Sequence, residues 1–195
     1  MQEKDLKNYS IRTDLVVDMM DSNFTSQKII SNKETFQDIQ ILEVTITSDE
    51  NELKKKKRKY ITISYQDVTD KTNFQNLEKV VIKELKKMIK VLNLTDKSKC
   101  LVVGLGNIKS TPDALGPKTV ADVMATRYLY EIDEIEVDPN YRNVATFIPG
   151  VTGETGIESS DIVLGLIEKI KPDFVITIDA LASSSMERVN KTIQI

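Results

Sequence analysis

The stretch from Leu101 to Gly116 constrains the fold of this chain more than any other. A short apolar run, Cys100 to Val103, ends in Gly104-Leu105-Gly106-Asn107, and a polar loop then delivers Asp113 just before a helical pattern. Continuous apolar runs of this kind mark strands covered on both faces. A second one, Phe174 to Ile178, also ends in an aspartate, Asp179. Between them, Leu115 to Tyr130 reads as a helix with Pro117 in its first turn and Val120, Val123, Met124 and Tyr128 on one face. Val144 to Ile148 reads as a strand stopped by Pro149-Gly150. Ser159-Ser160 can cap a helix carrying Ile162, Val163, Leu166, Ile167 and Ile170, which Lys171-Pro172 ends. Strands and helices alternating in this way predict an α/β fold, a mostly parallel sheet with helices on both faces. Ile193 to Ile195 reads as the start of one more strand.

The part before Cys100 follows another rhythm. Met1 to Asn8 is polar and loose, and Tyr9 to Asp14 leads into a short element at Leu15 to Met20. From Asp21 to Glu34 the chain is mostly polar, with Ile29-Ile30 as an anchor. Ile39 to Thr47 alternates, with a one-residue slip at Leu42-Glu43 that is compatible with a bulge. Tyr60 to Tyr65 alternates again, so the two segments form an antiparallel hairpin with a long charged tip. The basic run Lys54 to Lys59 in that tip is either a handle for an acidic partner or a solvated turn; without interleaved aromatic residues the solvated turn is the better reading. Phe74, Leu77, Val81, Leu85, Met88 and Leu92 recur at helical spacing and predict an amphipathic helix. Asn93 to Ser98 closes it. The expected organisation is one α/β domain over 1–195, with an N-terminal segment, hairpin and helix over 1–98 and the core α/β part over 99–195.

Composition matters chiefly for the chemistry it removes. The 195 residues include no histidine and a single cysteine, Cys100. A Ser-His or Cys-His dyad cannot form within the chain, and the usual nitrogen ligand for zinc is missing. An internal disulfide is excluded, and Cys100 at the head of an apolar strand reads as a buried small hydrophobe. A net charge of -3 gives no general attraction to nucleic acid or membrane, and no apolar run is long enough to span a bilayer. The N-terminus has no apolar signal core, so a cytoplasmic protein is expected.

In an open α/β sheet, ligands bind outside the carboxyl ends of the strands. Asp113 and Asp179 both belong to that edge. Two neighbouring carboxylates tend to share one proton, so that one can deprotonate water while the other hydrogen-bonds a scissile carbonyl and then protonates the leaving amine. That is aspartic-type peptide hydrolysis, without a cofactor or metal. Gly104, Gly106 and Asn107 are candidate substrate-binding residues, because glycine lets a substrate approach the main chain closely. The same spacing is also met by two helix caps, Asp113 after Pro112 and Asp179 before Ala180. A dinucleotide site would need a third glycine where Lys109 stands. Gly-Leu-Gly-Asn is similar, too, to the opening of peptidyl-tRNA hydrolases, which depend on a histidine that this chain lacks.

Several motifs in order carry a more specific resemblance. They are Gly104 to Asn107, Thr111 to Pro117, Thr152 to Asp161, Lys171 to Ala182 and Glu187 to Asn190, with Tyr9 to Leu15 near the start. The chain resembles the germination protease family of spore-forming bacteria over nearly its whole length and, more distantly, the hydrogenase maturation peptidases. The resemblance implies an endopeptidase that initiates degradation of small acid-soluble spore proteins during germination in the spore core. It implies Asp113 and Asp179 as catalytic residues, an oligomeric zymogen, and self-cleavage near the N-terminus; an acidic residue followed by an aliphatic one points to the Asp14-Leu15 bond. Family members continue past the match to Thr192 to Ile195, so the resemblance also implies that the C-terminal part of the family fold is missing. An inactive α/β fragment that binds spore proteins or partner subunits is the alternative.

Overall fold

The structure, a computed structural model, describes residues 13–20, 26–132 and 136–195. The expected loose leader and Tyr9 to Arg12 lie outside those residues, as does 21–25. The chain divides into two compact units, Met1–Leu92 with Leu181–Ile195, and Asn93–Ala180. Both contain a sheet, and the α/β class read from the sequence holds.

The first unit is built on an antiparallel sheet of β1 (Ile29–Phe36), β2 (Ile39–Ile46), β3 (Lys59–Ser64) and β7 (Thr192–Gln194), in the order β1-β2-β3-β7. The expected hairpin is β2 with β3. β1 was not expected as a strand. Its polar residues from Ser31 to Thr35 face solvent on a sheet edge, and only Ile29 is buried, so no alternation marks it. The slip at Leu42-Glu43 is not a bulge, because the pairing of β2 with both neighbours runs without interruption. It arises because both faces of the strand are covered. Ile39 and Ile41 join Ile61, Ile63 and the helix residues Leu77 and Val80, whereas Val44 and Ile46 join Tyr60, Leu53 and Val16. Val16 belongs to a 3-10 turn, Val16–Met19, at the short element expected before residue 20. The charged hairpin tip is ordered by Asn51, whose Oδ1 accepts the Leu53 N–H at 3.1 Å and lets Leu53 plug the second of those clusters.

Helix α1 (Lys71–Val91) opens on Asp70, whose carboxylate accepts the N–H groups of Thr72 at 2.9 Å and Asn73 at 3.0 Å. Its buried face follows the apolar stripe of the sequence only in part: Leu77 is buried and Val81 and Met88 pack against the same core. Phe74 and Leu92 at the ends of that stripe are exposed, while Asn76, Leu77, Val80 and Glu84 are buried. Glu84 tolerates this because Lys87 lies 3.5 Å away, and Lys87 also reaches Glu43 of β2 at 2.9 Å. Hydrogen bonds from Lys59 and Lys87 outweigh burial and hold the Glu43 carboxyl below its ordinary value of 4.5. A carboxyl depressed by folding adds stability above its unfolded value and loses it as pH falls through the lower folded value. The urea midpoint of the parent is therefore expected to drop more steeply on acidification below pH 5 than that of Glu43→Gln, whose curve loses this component. Equal slopes would refute the assignment.

The second unit holds the parallel sheet, β4 (Cys100–Gly104) between β5 (Val144–Phe147) and β6 (Phe174–Ile178), in the order β5-β4-β6. Every residue of β4 is buried, as a central strand with two covered faces requires. Burial also pushes the Cys100 thiol up to about 11, which keeps it protonated and inert at neutral pH. Helix α2 spans Leu115–Ala121 and packs on β4 and β6. The expected helix to Tyr130 stops early. Thr126 is drawn to β5, donating its N–H to Val144 O and its hydroxyl to Arg142 O while accepting from Val144 N, and a 3-10 turn, Arg127–Glu131, follows. A short α3 (Thr152–Thr155) and then α4 (Ser159–Ile170) lead to β6. Ser159 does not cap α4; its hydroxyl donates to Gly150 O at 2.8 Å. Because β5 and β6 lie on opposite sides of β4, right-handed crossovers put α2 and α4 on opposite faces of this sheet. The strand expected at the C-terminus exists as β7, but it pairs with β3 rather than extending the parallel sheet.

Candidate active site

The parallel sheet changes its winding direction at β4, the position at which α/β sheets open a crevice beyond their strand ends. The loop that leaves β4 is folded tightly against both neighbours. Leu105 N–H donates to Ile178 O at 2.8 Å, extending the β4–β6 pairing one step past the strand. Gly106 has φ +112, and a Cβ there would strike the Asp113 carbonyl oxygen. Asn107 N–H points at Asp113, 2.8 Å from its Oδ2 and 3.1 Å from its main-chain oxygen. Asn107 Oδ1 in turn accepts the Lys109 N–H at 2.8 Å. A 3-10 turn, Thr111–Asp113, closes the loop, and Asp113 N–H donates to Ser110 O at 2.8 Å.

This arrangement decides what Asp113 does locally. Helix α2 begins after Ala114 with no side-chain cap, so Asp113 is not spent on the helix. Its carboxylate is instead turned back onto the glycine turn at the end of β4. Gly104 is buried beneath α2 beside Gly116 and Val120, and Gly106 and Asn107 form the wall against which Asp113 rests. Asp179 follows the last residue of β6, and its Oδ1 accepts the Ala180 N–H at 2.8 Å. No helix opens at Ala180; the next regular element is a 3-10 turn, Met186–Arg188, opening after Ser185. Asp113 and Asp179 thus stand at the carboxyl ends of adjacent strands, on a turn stitched to β6 through Ile178.

Asp14 and Leu15 belong to the first unit. The Leu15 side chain is buried in it. Asp14 N–H donates to Ala182 O at 2.9 Å, and Ala182 N–H donates to Asp14 Oδ2 at 3.3 Å. The carbonyl of the Asp14-Leu15 peptide accepts from Lys55 Nζ and Gln194 Nε2, both at 3.3 Å. Gln194 Oε1 also accepts the Val16 N–H at 2.9 Å, so one amide side chain spans the bond.

Two polar groupings escaped the sequence reading. Asp18, with 1% of its side chain exposed, pairs with Arg188 Nε at 2.8 Å and accepts from Thr13, Ser183 and Ser184. Burial opposes its ionisation, but the bonds from Thr13, Ser184 and Ser183 together hold its carboxyl below the ordinary value. Lys109 pairs with Glu154 of α3 at 3.0 Å. In the sequence Lys109 breaks a glycine fingerprint, and a lone cation inside a glycine-asparagine loop is the signal that could have marked the pair. Among the described residues no three Asp, Glu or Cys side chains converge as a metal site would need.

The sequence profile of the germination protease family matches residues 11–195. This chain belongs to the germination protease family. The germination protease of Priestia megaterium is 44% identical over 208 residues, an alignment covering 100% of this chain and 56% of the relative. That of Bacillus cereus is 42% identical over 201 residues, covering 98% and 55%. The germination protease of Bacillus mycoides gives the same figures. The chain thus spans a little over half the length of these relatives. Among the described residues no helix is long and apolar enough to cross a membrane.

Proposed function

We propose that this chain carries the catalytic carboxylates of an aspartic-type endopeptidase that initiates degradation of small acid-soluble spore proteins during germination. The observation that supports it most is the Asp113 carboxylate, fastened by Asn107 N–H to the end of β4 while Asp179 ends the neighbouring strand. In this reading the two carboxylates share one proton. The ionised one takes a proton from water as it attacks the substrate carbonyl; the protonated one hydrogen-bonds the carbonyl oxygen and later protonates the departing amine. Neither step needs a histidine, which the chain lacks. Gly106 and Asn107 present main chain to the substrate, with Gly104 supporting the turn from beneath.

The protein acts in the cytoplasm of the spore core as a homo-oligomer, made as a zymogen that cuts itself at or near Asp14-Leu15. Cutting there requires the Gln194 clamp to release the bond and Leu15 to leave the core. The test is incubation of the purified chain with a small acid-soluble spore protein, read by mass spectrometry, with N-terminal sequencing of the chain afterwards. Discrete fragments and a new terminus at Leu15 are expected. Binding of the spore protein without cleavage would instead identify an inactive binding fragment.

A further inference from the structure

The loops that follow β4 and β5 carry one cationic residue between them up to α4, Lys109. Its backbone is fixed by the same side chain that serves the aspartate: Asn107 N–H holds Asp113, and Asn107 Oδ1 holds Lys109 N–H. From there the Lys109 side chain reaches the β5 side of the crevice and meets Glu154 Oε1 at 3.0 Å. Across the carboxyl edge of the sheet the order is therefore Lys109 with Glu154 toward β5, Asp113 on the turn of β4, and Asp179 at the end of β6. An extended peptide laid along that edge passes the ammonium group and the two carboxylates in turn.

We infer that Lys109 is a specificity-determining residue, taking the carboxylate of an acidic residue immediately N-terminal to the bond that is cut, in the place Glu154 now occupies. The inference rests on the proteolytic reading above. Three features carry it. The Lys109 side chain is 79% exposed and that of Glu154 34%, so the pair is wet, stabilises little and can exchange one carboxylate for another. Glu154 belongs to α3 and not to the β4 turn, so its exchange leaves the turn that holds Asp113 unbroken. The bond expected to be cut within this chain itself follows an acidic residue, Asp14. A cation also suits a site that already holds two carboxylates, because it offsets their repulsion for an acidic substrate.

The test uses the full chain and three peptides identical except for Glu, Gln or Lys immediately N-terminal to the bond that is cut. The parent is expected to favour Glu over Gln by roughly tenfold in kcat/KM, the scale of one partly exposed charged hydrogen bond. Lys109→Ala should bring that ratio to about one, and Lys109→Glu should turn preference toward the Lys peptide, an inversion that loss of a structural staple does not produce. Glu154→Gln should lower KM for the Glu peptide, since the competing carboxylate is gone. An unchanged Glu-to-Gln ratio in Lys109→Ala overturns the inference while leaving the endopeptidase reading intact. Should the parent cut none of the peptides, the endopeptidase reading fails. Fluorescence anisotropy of the same peptides then decides about Lys109: Glu-selective binding lost in Lys109→Ala supports the inference, and equal binding by both proteins refutes it.

Discussion

Asp179→Asn and Asp113→Asn are each expected to lower kcat for a spore-protein substrate by at least about 10³-fold, within the range that removal of a positioned acid or base removes. Asparagine keeps the size of aspartate and an oxygen that can accept the Asn107 N–H, so the turn around residue 113 should persist. Urea midpoints of both variants are expected to stay close to the parent's. The double variant should be about as inactive as either single one, because groups that act as a unit do not contribute additively. Cleavage by either single variant at the parent's rate sinks the two-carboxylate mechanism.

The second large effect concerns stability. Gly116→Ala is expected to cost roughly 3 kcal/mol or more, the upper end for overpacking, because its Cβ would collide with main-chain oxygens rather than with movable side chains. Those oxygens belong to Leu105 and Ile178, the two residues whose pairing stitches the β4 turn to β6. Relief therefore means pulling the turn off β6, which also shifts Asp113. Gly165→Ala is the internal control. It lies inside α4 with nothing within 4 Å of the added Cβ, so it should stabilise by about 0.5–1 kcal/mol through helix propensity. Chemical denaturation of both variants measures the contrast, and similar midpoints for the two would contradict the packing described around β4.

The parts of this fold legible in the sequence were those where burial alone fixes the pattern. Cys100 to Val103 is buried throughout between two neighbours, and its apolar run showed it; Phe174 to Ile178 reads the same way in the sequence but is an edge strand, only half-buried and with Thr177 exposed. β1 was hidden because an edge strand facing water needs no alternation. The rotation of α1 was hidden because Glu84 and Asn76 are buried through polar partners, Lys87 for one and Gln37 for the other, and periodicity counts only apolar residues. The end of α2 depended on Thr126 meeting the start of β5, a contact about eighteen residues away along the chain that no local propensity encodes. At the candidate site, the aspartates and glycines were legible from their places at strand ends. That Asn107 organises both Asp113 and Lys109 was not, since it depends on the path of the loop.

The pairing of β7 with β3 has a kinetic consequence. Thr62 and Gln194 are direct partners, yet about 130 residues separate them, and the whole second unit lies within that interval. Closing so long a loop is entropically costly and slow, and the cost falls when the intervening chain has already compacted. The parallel unit, whose pairings are shorter in range, is thus placed to fold early and act as a preassembled spacer that brings residues 181–195 back within reach of β3. The antiparallel sheet would then be the last part of the molecule to be completed, although three of its four strands are the first to be synthesised.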